Sequence, residues 1–202
     1  MDNNKAKKLV LATGNAGKVR EFSALLSPLN YEIVMQKDLG VVEPPENGKS
    51  FVENALIKAR AASEQTGLPA LADDSGLCVD ALNGAPGIFS ARFAGAHGDD
   101  EANNQKLLRL LENVKPEDRS ARYWCALCLV RFPEDPVPLL VTASWEGSIA
   151  LKARGHEGFG YDPLFLVTGR NCTAAQLPAP VKNLISHRGC ALQKLLAELA
   201  SK

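Results

Sequence analysis

The sequence carries no excess charge of either sign: 23 Lys and Arg stand against 23 Asp and Glu in 202 residues. Binding along a long nucleic acid, or to an anionic bilayer, draws on clustered uncompensated cations, so neither is expected as a partner. A small anion stays within reach, since a few Lys and Arg gathered at one place leave the total unchanged. The chain also lacks an apolar run near the ~18 residues that a membrane span needs, and Met1-Asp2-Asn3-Asn4-Lys5 leads into a short strand with no signal-peptide core. No membrane and a cytoplasmic location are the expectations. Cysteines are odd in number, at positions 78, 125, 128, 172 and 190, which speaks against a disulfide framework. Cys125 and Cys128 form a C-x-x-C inside 123–130, a run that reads as a buried strand. Their offset of three places them on opposite faces, and no second pair completes a tetrahedral zinc site. Core packing of reduced thiols is the expected role.

What is present, 46% hydrophobic and 23% charged residues, describes one globular unit or two lobes sharing a core. The first half alternates: a strand over 8–13, a helix over 17–26, a strand over 32–35, and a helix over 50–65 with Phe51, Ala55, Ile57, Ala59 and Ala62 in its apolar stripe and Gly67 as its stop. A helix over 99–111 should turn Leu107, Leu108, Leu110 and Leu111 inward. Two long extended segments follow, 120–131 and 139–151, joined by a loop whose three prolines exclude it from a central ladder. A strand over 164–167 and a helix over 189–200 close the chain. The pattern predicts α/β layers, a mixed sheet with helices around it.

Five polar constellations interrupt this pattern. Thr13-Gly14-Asn15-Ala16-Gly17-Lys18 sits where a strand hands over to a helix, and glycines, free helix N–H groups and a lysine suit phosphate. It is no Walker A loop, since the spacing fails and no Ser or Thr follows Lys18; an ordinary turn capped by Asn15 is the plain alternative. Asp73-Asp74-Ser75-Gly76 embeds two adjacent carboxylates in apolar sequence. That is costly without a cation such as magnesium, although the same residues suit a surface turn. Asn54 and Lys58 share one face of the 50–65 helix, whose charges read most simply as solvated, and Glu46 precedes that helix at a distance from which it can reach a metal. Phe159-Gly160-Tyr161-Asp162 can present a flat ring to a base. Lys182, His187 and Arg188 gather donors at the start of the last helix.

Taken in series, 13–18, Glu46, 51–58, 73–76, 159–163 and 186–189 resemble the inosine triphosphate pyrophosphatase family, also called noncanonical purine nucleoside triphosphate pyrophosphatases, most closely its bacterial branch. The resemblance implies one pyrophosphatase domain over 1–202. It implies an elongated mixed β-sheet flanked by helices, with two lobes and a nucleotide cleft between them, and a homodimer that uses Mg²⁺ to cleave ITP, dITP and XTP into monophosphate and pyrophosphate. By the same resemblance Thr13, Gly14, Asn15, Ala16, Gly17 and Lys18 bind the triphosphate, and Lys58 lies near it. Asp74 is proton acceptor and metal ligand, Glu46 assists the metal, and Ser75 contacts substrate. Phe159, Gly160, Tyr161 and Asp162 recognise the nucleoside, with Lys182, His187 and Arg188 completing the base pocket. One departure stands at Pro178-Ala179-Pro180-Val181, often acidic in the family, which bears on how Lys182 is placed. The rival expectation is a noncatalytic purine nucleotide-binding protein, which would keep the phosphate turn and aromatic pocket without needing Asp74.

Overall fold

The computed structural model describes residues 7–26 and 31–200; the 1–5 lead-in and the two ends of the expected 1–202 domain lie outside the described residues. In chain order come β1 (Lys7–Ala12), α1 (Ala16–Leu26), β2 (Tyr31–Met35), α2 (Phe51–Thr66), β3 (Ala70–Val79), α3 (Asp100–Leu110), β4 (Ser120–Val130), β5 (Leu139–Ile149), β6 (Phe165–Val167), α4 (Ala179–Ile185) and α5 (His187–Ala200), with short 3-10 turns among them. The strands form one sheet in the order β2-β1-β3-β4-β5-β6. β1 is parallel to both β2 and β3, and β5 is antiparallel to β6, so the sheet is mixed, as expected. The chain divides into two compact units, one of Met1–Asp74, Ala126–Thr142 and Ala191–Lys202, the other of Ser75–Cys125 and Ala143–Cys190.

In the first unit Ala55, Ala59 and Ala62 of α2 pack on Val10 and Ala12 of β1, Ala70 and Ala72 of β3, and Ala126, Cys128 and Val130 of β4. Small side chains on both partners let the helix approach the sheet closely, and this brings the short polar side chains of α2 within reach of β3. Ser50 caps α2 by accepting from the Glu53 N–H, and Gly67, at φ 66°, ends it with its N–H on the Ser63 carbonyl. Ile57 lies outside this core, whereas Val52 and Leu56 pack on it. Two positions from Ala55 is about 200° around a helix, so Ile57 cannot share that face.

The second unit packs Leu77, Val79, Leu107, Leu111, Tyr123, Trp145, Tyr161, Leu164 and Phe165 together. Leu107 and Leu111 are fully buried and Leu108 is partly so, but Leu110 is 49% exposed. The four leucines span about 160° of helix circumference, more than one face can bury. Two further corrections concern elements. Residues 73–76 form no turn: they lie inside the ten-residue β3. The last helix begins at His187 rather than Gly189, and α4, which the proline-rich sequence hides, precedes it. Cys125 and Cys128 are buried in β4, and none of the five cysteines forms a disulfide.

Gly147 of β5 pairs with Val167, and a Cβ there would run into the Leu166 carbonyl and the Phe165 ring. Gly147→Ala should therefore lower unfolding free energy by about 1–3 kcal/mol, read as a fall in urea midpoint at unchanged m-value.

Candidate active site

Parity along β3 places the acids. Ala70 and Ala72 face the alanines of α2, and successive strand residues point to opposite faces. Asp74 therefore faces α2 while Asp73 points the other way. The contacts agree: Lys58 Nζ of α2 donates to Asp74 Oδ1 at 2.9 Å and Asn54 Nδ2 to Asp74 Oδ2 at 3.2 Å, whereas Lys18 of α1 pairs with Asp73 at 2.8 Å. Lys58 also holds Glu46 at 2.8 Å. Asn54 is fully buried, so the solvated-face reading fails for Asn54 and Lys58. It holds for Glu53, an exposed residue that accepts from the Lys49 N–H at the start of the helix.

The phosphate-type turn joins this group through register. Ala12 pairs with Ala72, so Thr13 follows β1 at the level where Asp73 follows in β3. With the order β2-β1-β3 and parallel pairing, this is the carboxyl edge at a topological switch point, where open α/β sheets bind ligands. Asn15 caps α1, its Oδ1 accepting from the Lys18 N–H at 3.1 Å. Gly14, Asn15 and Ala16 are exposed while Thr13 and Gly17 are buried. A Cβ at Gly14 would collide with the Glu43 carboxylate. With the Lys18 N–H taken by Asn15, the N–H groups of Ala16 and Gly17 at the start of α1 have no acceptor within the helix, the condition under which a helix N-terminus seats an anion. Ser75 is the next residue of β3, half-buried.

Three carboxylates (Glu46, Asp73, Asp74) thus meet two ammonium groups (Lys18, Lys58). Burial alone would lower the Lys58 pKa, but Asp73, Asp74 and Glu46 together raise it above the ordinary lysine value. Burial raises the Asp74 pKa, with Glu46 adding to it, and Lys58 and Lys18 only partly offset the rise. The acids dominate at Lys58, and burial dominates at Asp74. Oxygens of Asp74 and Glu46 converge on a single nitrogen, which suits a divalent cation that takes one or two carboxylates and leaves its remaining positions to water and phosphate. Among the described residues no group of three or more His, Cys, Asp or Glu is placed to hold a metal by protein alone.

A second group lies in the other unit. Asp162 accepts from Lys182 Nζ at 2.6 Å, from the Phe159 N–H at 3.0 Å and from the Tyr123 hydroxyl at 3.4 Å. Lys182 and Arg188 sit 5.0 and 5.1 Å from the centre of the Phe159 ring, within cation–π range. His187 stacks on Tyr123 at 4.7 Å and 8°. Tyr161 is buried in the core, its hydroxyl donating to the Ser90 carbonyl at 2.8 Å, so Phe159, half-buried, is the aromatic of the pair with ring surface left to offer. Burial, with Asp162 close by, pushes the Tyr123 pKa well above the ordinary phenol value, which keeps it a donor. The departure at 178–181 places Lys182 well: Pro180 is tolerated in the first turn of α4, and Lys182 ends buried on Asp162. Sequence reasoning missed Tyr123 and Asp73 as site members. A tyrosine inside a buried strand needs a hydroxyl partner, and strand alternation would have separated the two acids.

The model of the Ham1 family matches residues 9–198. The chain belongs to the Ham1 family. It is 55% identical over 195 residues to a dITP/XTP pyrophosphatase of Thioalkalivibrio sulfidiphilus, covering 96% of this chain and 100% of that protein. To the dITP/XTP pyrophosphatase of Photobacterium profundum it is 55% identical over 192 residues, covering 95% and 98%. Among solved structures, a HAM1 protein from Coxiella burnetii superposes with a TM-score of 0.90 at 47% identity, covering 97% of this chain and 100% of that one. The Ham1 protein of Staphylococcus aureus gives 0.86 at 38% identity, covering 96% and 99%. Ham1 membership agrees with the resemblance and with the mixed sheet.

The raised Asp74 pKa has a consequence for stability. A carboxyl whose folded pKa exceeds its unfolded value costs stability above the unfolded range, and the cost vanishes as pH falls through the folded pKa toward ~3.9. In chelator-treated protein Asp74→Asn should therefore melt higher than the parent at pH 7, with the gap closing as pH falls toward 4. A variant less stable at pH 7, with a pH-independent gap, would show that the Lys58 contact outweighs burial.

Proposed function

We propose that the chain hydrolyses the deaminated purine nucleoside triphosphates ITP, dITP and XTP at the α–β phosphate bond, releasing the monophosphate and pyrophosphate, and so clears deaminated purines from the nucleotide pool. The observation that carries the reading is the meeting of Asp74, Glu46 and Lys58 beside the 13–18 turn at the switch point, in a chain whose relatives bear the name dITP/XTP pyrophosphatase. Asp74 and Glu46 are the residues that would hold Mg²⁺, and when bound there the ion would neutralise phosphate oxygens and the charge of the leaving pyrophosphate.

The chain's own part is positioning and charge. The α1 N-terminus and the backbone of Gly14 to Gly17, with Thr13 at the strand end, seat phosphate oxygens. Lys18 and Lys58, each within 2.9 Å of a carboxylate, stand close enough to trade that partner for a phosphate oxygen. Asn54 and Lys58 fix both oxygens of Asp74, so the carboxylate can orient a water toward the α-phosphorus. Asp74 is also the group placed to accept that water's proton. Ser75, next along the strand, contacts the same substrate.

The base is read by the other group. Phe159 offers the stacking surface, and Arg188 and His187 offer donors to a 6-keto oxygen, which a 6-amino group would meet donor to donor; a polar site left unpaired this way rejects by about 10⁴ or more. The Phe159 N–H is already given to Asp162, so the side chains carry this readout. Asp162 and Lys182 hold the frame, and Tyr161 anchors it. The reading includes a single domain, a homodimer and a cytoplasmic location. The five cysteines, none in a disulfide, suit a reducing compartment, and among the described residues no helix is long and apolar enough to cross a membrane.

With ITP and Mg²⁺ the products should be IMP and pyrophosphate, with turnover lost on chelation, and kcat/KM for ITP and XTP should far exceed that for ATP and GTP. Asp74→Asn should lose on the order of 10³-fold in kcat. Tight ITP binding without pyrophosphate release would favour a noncatalytic binder, and orthophosphate as first product a different hydrolase.

A further inference from the structure

We infer that Asp100 and Asn104 of α3 are positioning residues that clamp the nucleoside-recognition loop through the backbone of Gly160; the inference rests on the base-pocket reading above. Asp100 Oδ2 accepts from the Gly160 N–H at 2.6 Å, and Asn104 Nδ2 donates to the Gly160 carbonyl at 2.9 Å. The two side chains are one helical turn apart on the same face, and together they take both hydrogen-bonding groups of one residue. Gly160 sits at φ 63°, a left-handed conformation that a side chain would strain. The helix that supplies the clamp is itself fixed. Asp99 caps it on the Ala102 N–H at 2.9 Å, and Asn103, buried between the clamp residues, accepts from the Ala94 N–H at 2.7 Å.

The clamp changes what Gly160 does. With N–H and carbonyl both occupied, its backbone is not offered to a base, and its contribution is to hold Phe159 and Tyr161 on either side at a fixed angle. Phe159 N–H on Asp162, the Tyr161 hydroxyl on Ser90 and Lys182 on Asp162 complete the anchoring. α3 thus acts through the backbone of the loop and sets the orientation of the ring on which the base stacks.

Orientation of a remote base binds ground and transition states alike, so its loss appears in KM and not in kcat. Asp100→Ala and Asn104→Ala should each raise KM for ITP about fivefold to tenfold, with kcat within twofold of the parent. Asp100→Asn keeps an acceptor and should restore KM. Asn104→Asp matches the shape but turns an acceptor toward the Gly160 carbonyl, and should raise KM at least as much as Asn104→Ala. An unchanged KM in both alanine variants, or Asp100→Asn as impaired as Asp100→Ala, would overturn the proposal. Amide hydrogen exchange in ligand-free protein tests the clamp apart from the activity. In Asp100→Ala, Gly160 should lose protection while the central strands keep theirs, and unchanged protection would refute the clamp even in an active enzyme. Failure of the parent protein to release pyrophosphate from ITP would refute the activity while leaving the exchange result to decide the clamp.

Discussion

The first unit depends on one constraint: two consecutive carboxylates are buried inside a strand. Asp73 and Asp74 are 1% and 6% exposed, and an ionised carboxylate removed from water costs several kcal/mol unless paired and hydrogen-bonded. Adjacent strand residues point to opposite faces, so each acid meets its own ammonium in direct contact. Two right-handed connections that run in opposite directions across the sheet, β1 to β2 through α1 and β2 back past β1 to β3 through α2, put their helices on opposite faces. α1 then supplies Lys18 to one acid and α2 supplies Lys58 to the other. The alanine seam of α2 follows from the same need, since a bulkier contact would hold Asn54 and Lys58 away from Asp74.

Much of this was legible in the sequence because it rests on local rules. Ser50 and Gly67 bound α2 to within a residue, the strand–turn–helix at 13–18 was visible from its glycines, and the three prolines marked the 132–138 loop between β4 and β5. What escaped was set by neighbours distant in sequence. Asp-Asp-Ser-Gly has good turn chemistry, and only its place in a ten-residue strand that runs on beyond β1 beside β4, with lysines arriving from two helices, makes it extended. Asn54 and Lys58 share a face by spacing, but whether that face meets solvent or an acid depends on Asp74, sixteen to twenty residues further on. The short α4 was hidden because Pro178 and Pro180 read as loop, although proline fits a first helical turn.

The second group is built on the opposite principle. The acids of β3 leave charge to be answered, whereas the 159–162 loop has nearly all its polar atoms answered from within its unit. Asp162 takes three donors, Tyr161 reaches Ser90, and α3 takes Gly160 at both ends. A loop so tied loses little freedom on binding, which lowers the ordering cost of association. It also leaves selection to the few side chains not spent on the frame. Phe159, half-buried and with the cations of Lys182 and Arg188 over its ring at about 5 Å from the centre, joins an apolar surface to positive charge, a combination suited to a flat heterocycle rich in acceptors.

The contrast accounts for a division of labour within the proposed reaction. Phosphates are alike in every nucleoside triphosphate, so the group that meets them need not discriminate and can remain electrostatically unfinished. Its five charged side chains carry one negative charge too many, and a polyanion entering alone would be repelled. The same excess favours a nucleotide that arrives with a divalent cation, and a carboxylate already fixed at both oxygens by Asn54 and Lys58 meets it without a large rearrangement. Bases differ by single groups at the ring edge, so the site that reads them gains from rigidity: an unsatisfied donor discriminates only if the frame cannot move to relieve it. Unfinished charge at one group and completed hydrogen bonding at the other are therefore complementary requirements of one hydrolase acting on a subset of purine triphosphates.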